Sequence, residues 1–188
     1  MKKLLFLIAI FSVITFGQVK FGATAGLNMA SWSGSDATDT KGITGFAFGG
    51  FVATPGDGLG FRGEALYSMK GATVTFLGVD ISMKYNYLEF PLLGKYTFTT
   101  PGTIKPSIYA GPYVGFLLSS KAEANGNTSD ISDQKGVDFG LAFGAGADFN
   151  VGNSTVGLIA RYGLGLTKIN DKADLKNGCF SIMANYAF

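Results

Sequence analysis

The sequence has 188 residues, with 15 basic and 13 acidic side chains, no histidine and one cysteine. The basic residues form no footprint for nucleic acid, and one cysteine excludes an internal disulfide. Glycine, at 28 residues, and aromatic residues, at 14%, are more frequent than in a typical soluble domain.

The N-terminus predicts export from the cytoplasm. Lys2 and Lys3 precede an apolar run, residues 4–16, that is too short for an ordinary transmembrane helix and is typical of a secretory signal peptide. We expect residues 1–17 to be this signal peptide and residues 18–188 to be one domain. Without the two lysines, 13 of the 15 basic residues remain against 13 acidic ones, so the mature domain is formally neutral.

After the signal peptide, eight segments show the period-two alternation of β-strands. They are residues 20–32, 43–54, 59–70, 84–99, 105–119, 136–150, 155–168 and 178–188. The clearest is the sixth, where Phe139 and Phe143 belong to an apolar parity and Asp138 to a small or acidic one. The second is ambiguous, because Phe46 and Phe48 have the opposite parity to Phe51.

The connections between these segments alternate in length. Long polar ones cover residues 33–42, 71–83, 121–136 and 169–177, and short turn sequences cover residues 55–58, 100–105 and 152–154. This layout predicts an all-β fold, an eight-stranded antiparallel up-and-down transmembrane β-barrel, with the long loops outside the cell and the turns in the periplasm.

The polar parity of the strands decides which face is the inside. A soluble lipocalin-like barrel would carry a charged outer surface, but here the polar parity is mostly small residues with few charges. We therefore expect lipid on the apolar face and an ion-pair network in the lumen, with a lined solute path as the alternative. The predicted lumen charges are Arg62, Glu64, Glu89, Lys95, Asp138, Asp148 and Arg161.

Prolines and aromatic residues give two further expectations. Pro91 and Pro106 should each mark a bulge or a local break in the ladder, because a closed barrel has no edge strand. Aromatic side chains favour membrane interfaces. The predicted interface aromatics are Trp32, Tyr96, Phe98, Phe149, Tyr186 and Phe188.

Four segments resemble a known family. "YLEFPLLGKYTF" (87–98), "KPSIYAGPYVGFLLS" (105–119), "VDFGLAFGAGADF" (137–149) and "ARYGLGLTKIN" (160–170) are similar to recurring strands of the PorT-like outer-membrane β-barrel proteins of Gram-negative bacteria. The resemblance implies the barrel type. The founding member belongs to a protein-secretion apparatus, and no functional residue carries over from it.

The absence of histidine from the sequence argues against an enzyme. Barrel enzymes that cleave lipids or peptides generally use histidine as a base or as the partner of a serine or aspartate. We expect no catalytic residue, cofactor or metal site. The expected function is structural or interactive, through the extracellular loops or the periplasmic rim. The alternatives are a narrow ion or small-solute channel and an accessory part of a secretion apparatus. Expected partners are outer-membrane lipid, the barrel-assembly machinery and an unknown extracellular or periplasmic protein, but no nucleic acid.

The predicted barrel has a simple biochemical signature. The protein should fractionate with outer membranes, give a sheet-dominated circular dichroism spectrum in detergent and change its gel mobility on boiling. Recovery as a soluble periplasmic monomer without detergent would instead support the lipocalin-like fold.

Overall fold

Nine strands form the framework of the computed structural model, which describes residues 19–76 and 78–188. They are β1 (Lys20–Ser33), β2 (Thr40–Ala53), β3 (Gly58–Phe76), β4 (Val79–Thr97), β5 (Ile104–Ala124), β6 (Asn127–Asp130), β7 (Val137–Val151), β8 (Ser154–Gly165) and β9 (Lys176–Ala187). The predicted signal peptide lies outside the described residues. No helix among these residues is long and apolar enough to cross a membrane.

Eight of the strands close into an antiparallel barrel, as predicted. Around the wall the order is β1, β2, β3, β4, β5, β7, β8 and β9, and β9 pairs back onto β1 from Gly22↔Ala187 to Ser33↔Lys176. The short strand β6 extends the wall by pairing with the outer end of β5. We call the two ends of the barrel the turn end, with the three short turns, and the loop end, with the long connections. Closure leaves the wall without an edge strand.

Strand β4 shows how the sequence sorts its two faces. Leu88, Phe90 and Leu92 are exposed on the outer surface, whereas Glu89 and Lys95 are buried inside the barrel. The same alternation runs through the other strands, so the outer wall is a continuous apolar surface. Its large side chains include Leu27, Phe48, Ile108, Phe116, Phe139, Leu141, Phe143, Leu158 and Ile182.

The predicted loop at residues 71–83 is wrong. Strands β3 and β4 stay paired from Gly71↔Lys84 to Phe76↔Val79 and form one long hairpin. Each strand has 19 residues, well beyond the roughly 9–11 that cross a bilayer, so the hairpin projects past the membrane. β-branched residues such as Thr73 and Val74 favour this continuation over a loop.

The predicted loop at residues 121–136 is also partly strand. β5 continues to Ala124 and pairs on one side with β4, through Ser82↔Glu123, and on the other with β6, through Glu123↔Thr128. At the loop end, β3, β4, β5 and β6 therefore form a four-stranded arm in which each strand satisfies the backbone groups of the next.

The prolines behave differently from one another. Opposite Pro91, the β3–β4 pairing is interrupted between Gly63↔Leu92 and Leu66↔Glu89 without a change of register, so this proline marks the predicted local break. Pro106 stays in register with Ala147, so the expectation of a bulge or break there is wrong. Pro106 is the third residue of β5, and a proline is tolerated near the start of a strand although it donates no backbone hydrogen bond.

The second predicted segment is ambiguous because β2 carries aromatic side chains on both of its faces. The register between β2 and β3 shifts between Gly42 and Ala47, which gives β2 an extra residue there. Phe46 and Phe48 lie on the outer surface beside Tyr67, with Phe48 and Tyr67 ring centroids 5.3 Å apart. Phe51 is turned into the barrel and is buried.

The outer surface gives a depth-dependent prediction. Phe143 lies near the middle of β7 and Val151 at its turn end, and both are exposed on the same outer face. In lipid vesicles, Phe143→Arg should lower the free energy of unfolding by about 2–4 kcal/mol, and the matched control Val151→Arg by about 0–1 kcal/mol. Urea titration checks both values. Equal losses would show that β7 does not span the hydrocarbon layer.

Candidate functional site

The middle of the lumen is built around one carboxylate. Glu64 on β3 is ion-paired with Arg62 on the same strand and with Arg161 on β8, whose Nη1 lies 2.6 Å from Glu64 Oε2. The Glu64 side chain has no exposed surface. Arg62 donates a second hydrogen bond to Asn185 Oδ1 at 2.9 Å, and its guanidinium lies 3.6 Å from the ring centroid of Phe51. We call Arg62, Glu64 and Arg161 the central triad.

A second group of charges lies towards the loop end. Lys70 on β3 is ion-paired with Glu89 and, at 3.3 Å, with Asp138 Oδ2. The same Asp138 oxygen accepts hydrogen bonds from Tyr113 Oη at 3.2 Å and Asn177 Nδ2 at 3.1 Å. This group therefore combines ionic and neutral donors on one carboxylate.

The third group lies towards the turn end. Lys95 on β4 donates to Asp148 Oδ2 on β7 at 2.8 Å, with β5 between the two strands. Lys105 and Asp57 form a more exposed pair at the rim, 3.1 Å apart. Without this rim pair, the three groups contain four cations and four carboxylates, so the buried charges neutralise one another.

The structure places all seven predicted lumen charges inside the barrel, and it adds one that the sequence prediction missed. Lys70 is buried and has the same inward parity as Arg62 and Glu64. Lys70 is the last residue of the predicted strand 59–70, and the predicted set of lumen charges does not include it. Continued alternation beyond position 70 is the signal that could have identified it.

Two contacts cross the full width of the lumen. Arg161 and Glu64 lie on β8 and β3, and three strands separate these two in either direction around the wall. Asn177 on β9 donates to Tyr87 Oη on β4 at 3.2 Å, again between opposite strands. The barrel interior also contains a cluster of buried apolar side chains: Ala47, Leu93, Tyr109, Tyr113, Ala142, Ile159 and Met183.

Little free volume remains between the charged groups. The cavity beside Lys70, Glu89 and Arg161 measures about 20 Å³, roughly the room for one water molecule. At the turn end a wider mouth of about 140 Å³ opens between the rim and the central triad, with Lys20 and Lys105 in its lining. The mouth is thus a vestibule that ends at the triad.

Five of the six predicted interface aromatics are exposed on the outer surface near the turn end: Tyr96, Phe98, Phe149, Tyr186 and Phe188. The prediction for Trp32 is wrong. Trp32 is only 7% exposed and faces the interior at the loop end, with its ring centroid 6.0 Å from that of Tyr85. An inward apolar cluster beneath the loops, which the sequence prediction did not include, provides this environment.

The connections at the loop end fold over that cluster. We call segments 34–39, 131–136 and 166–175 the cap. Ala37, Ile131 and Leu175 from the cap pack against the cluster of Trp32, Ala72, Tyr85, Tyr87 and Ile169. These apolar contacts make the cap a packed layer instead of a set of separate solvated loops.

Polar contacts link the cap segments to each other. Lys135 N donates to Ile169 O at 2.8 Å, and Asp174 N donates to Asp36 Oδ2 at 2.7 Å. Desolvation is the largest single influence on Asp174 and raises its pKa, but the charges of Lys168 and Lys176 and a backbone hydrogen bond from Ser35 together bring the pKa below its usual value. The cap is therefore held by both backbone and charged groups.

Comparison with known proteins agrees with this architecture. Neisserial surface protein A (NspA) has a similar structure, with a TM-score of 0.57 and 17% sequence identity over 91% of this chain and 99% of that one. The outer membrane protein OprG from Pseudomonas aeruginosa gives a TM-score of 0.52 and 15% identity over 90% of this chain and 94% of that one. At such identities the similarity concerns the fold. The comparison with curated protein sequences gives no match.

The fold defines the class: a closed eight-stranded β-barrel of the outer-membrane type. The family described as "Outer membrane protein beta-barrel domain" matches residues 15–171, and the chain belongs to that family. The protein is thus a bacterial outer-membrane protein. The loop end is the extracellular end and the turn end the periplasmic one, as in other barrels of this class.

Two substitutions in the central triad should lower the free energy of unfolding by different amounts. Glu64→Gln leaves Arg62 and Arg161 buried without their shared carboxylate and should lower the free energy of unfolding by about 3–5 kcal/mol. Arg161→Met leaves Glu64 paired with Arg62 and should cost less, about 1.5–3 kcal/mol. Urea unfolding in lipid vesicles measures both. As a control, Lys41→Gln breaks an exposed pair with Asp80 and should leave stability unchanged. Equal losses for the two triad variants would contradict the shared-carboxylate description.

Proposed function

We propose that this protein is a non-conducting and non-catalytic barrel that presents its cap as a structural or binding surface at the cell exterior. The observation that carries the proposal is the Arg161–Glu64 ion pair across the middle of the lumen. This pair joins opposite walls of the barrel and occupies the part of the lumen through which a solute would have to pass. The free volume beside it, about 20 Å³, also supports a closed interior.

The cap supports an interactive role better than the rest of the surface. The outer wall is apolar and suited to lipid, and the periplasmic end consists of three short turns and the mouth. Among the described residues, only those at the extracellular end form extended structure beyond the wall, in the cap and in the four-stranded arm. Loops positioned by a rigid scaffold, such as those of the cap on this barrel, are where binding residues are commonly placed.

A narrow channel is the competing function. The periplasmic mouth, about 140 Å³ in volume and lined by Lys20, Arg62, Lys95 and Lys105, would suit the entrance of an anion path. However, Arg62 and Lys95 are already engaged by Glu64 and Asp148, and the mouth ends at the central triad. These contacts favour a structural role for the lumen charges.

The PorT-like resemblance supports a narrower assignment, to an accessory part of a secretion apparatus. Three of its motifs fall on the wall strands β4, β5 and β7, and the fourth starts on β8 and continues into the cap at residues 166–170. The resemblance therefore concerns barrel construction more than the cap, where a partner protein would bind. We further propose that lipid covers the outer wall and that the barrel-assembly machinery inserts the chain.

Catalysis has little chemical support in this chain. The full sequence contains no histidine, and each of the buried carboxylates is engaged by a cation. A carboxylate held in this way is a poor general base, because its ion pair must first be broken.

Conductance measurements in planar lipid bilayers test the closed lumen. The wild-type barrel should give no steady current, and Arg161→Ala should lose stability without gaining conductance, because Arg62 and the apolar core still fill the lumen. Reproducible ion-selective current through the wild type, altered by Arg161→Ala, would favour the channel instead.

A further inference from the structure

We propose that the cavity under the cap is a binding site for a small uncharged molecule with an apolar body and one hydroxyl group. The cavity measures about 290 Å³ and lies at the extracellular end, between the barrel rim and the cap. Ligand pockets commonly start at roughly 300 Å³, so it suits a compact ligand such as a single substituted ring. The proposal deepens the proposed function, on which it rests, by naming the kind of ligand that the cap takes.

The lining of this cavity is mainly apolar and aromatic. Trp32 and Tyr85 come from the barrel rim, and Ile131, Ile169 and Leu175 come from the cap. Burial of a ring against these side chains is favourable, because it removes apolar surface of both partners from water. The two aromatic side chains, 6.0 Å apart between ring centroids, also provide faces for an aromatic ligand.

Two residues of the lining each carry an unpaired polar atom, and this favours a ligand with a hydroxyl group. The indole Nε1 of Trp32 and the amide Oε1 of Gln134 are buried and have no hydrogen-bond partner among the described residues. The first is a donor and the second an acceptor. Buried polar groups are normally paired, and an unpaired one carries a desolvation cost that a bound partner removes. The hydroxyl of a bound molecule can accept a hydrogen bond from the indole of Trp32 or donate one to the amide oxygen of Gln134.

The charges of the lining argue for an uncharged ligand. Asp36 is the charged residue of the lining within the described chain, and its Oδ2 accepts a hydrogen bond from the backbone of Asp174. No lysine or arginine of the described residues lines the cavity, so an anion would find no cation there. The described residues also contain no cluster of three metal-ligating side chains, which leaves a bound cation without support.

The cap holds the cavity open in a defined shape. Two hydrogen bonds join its segments, one from Lys135 N to Ile169 O and one from Asp174 N to Asp36 Oδ2. The ion pair between Lys172 and Asp133, at 3.1 Å, adds a link on the outer side. A site organised before binding loses less conformational entropy when the ligand enters.

The only tryptophan of the sequence, Trp32, provides a direct test. The folded wild-type barrel in detergent is titrated with 4-bromobenzyl alcohol, whose bromine quenches indole fluorescence on contact, and with 4-bromotoluene, which lacks the hydroxyl. We expect saturable quenching by both, with the alcohol bound about five-fold more tightly, as one net hydrogen bond provides. In Gln134→Leu the advantage of the alcohol should shrink or vanish while the toluene still binds.

A matched control separates binding from partition into detergent. The double variant Trp32→Phe, Phe90→Trp moves the indole to the outer wall, where quenching should rise linearly without saturation. Heat-modified gel mobility confirms that each variant is folded. Linear quenching of the wild type, or equal affinity for both probes in the wild type, would overturn the proposed site.

The outcomes also separate this proposal from the proposed function. A barrel that conducts in planar bilayers and still binds the alcohol saturably would overturn the closed lumen alone. A non-conducting barrel with linear quenching would overturn the cavity site alone.

Discussion

Complete pairing of the backbone is the constraint on which this structure depends. In hydrocarbon, unpaired N–H and C=O groups have no water to bind, so the sheet must close, and it does so through β1 and β9. Eight strands leave an interior just wide enough for side chains. The inward face can therefore neither hold bulk water nor leave charges alone. Four cations and four carboxylates in mutual contact satisfy that condition.

The lumen and the cap are parts of one polar network. Asp138 binds Lys70 and Tyr113 within the barrel, and its other carboxylate oxygen accepts a hydrogen bond from Thr167 in the cap at 3.3 Å. Asn177, at the start of β9, donates to the same carboxylate and to Tyr87 across the lumen. Movement of the cap near Thr167 would therefore disturb the hydrogen bonds of the buried Asp138 carboxylate.

Alternation along the strands made most of the wall predictable, since parity alone places Leu88 and Phe90 outside and Glu89 inside. Parity cannot show where a hairpin leaves the membrane, because the same β-branched residues continue the strands into water, and this hid Lys70. It also cannot choose between two faces that are both aromatic, as for Phe51. Trp32 was misplaced because its environment is supplied by residues of the cap that are remote in sequence.

The seam between β1 and β9 also bears on how quickly the barrel can form. Its pairs, such as Gly26↔Met183, join segments separated by most of the chain, and Gly26 lies against the backbone of Ile182 and Met183 with no room for a larger side chain. Contacts of such high sequence separation form slowly, because the entropy of closing a long loop must be overcome first. We therefore expect closure of the seam to be a slow step in the formation of the barrel, and a larger side chain at Gly26 would hinder that closure.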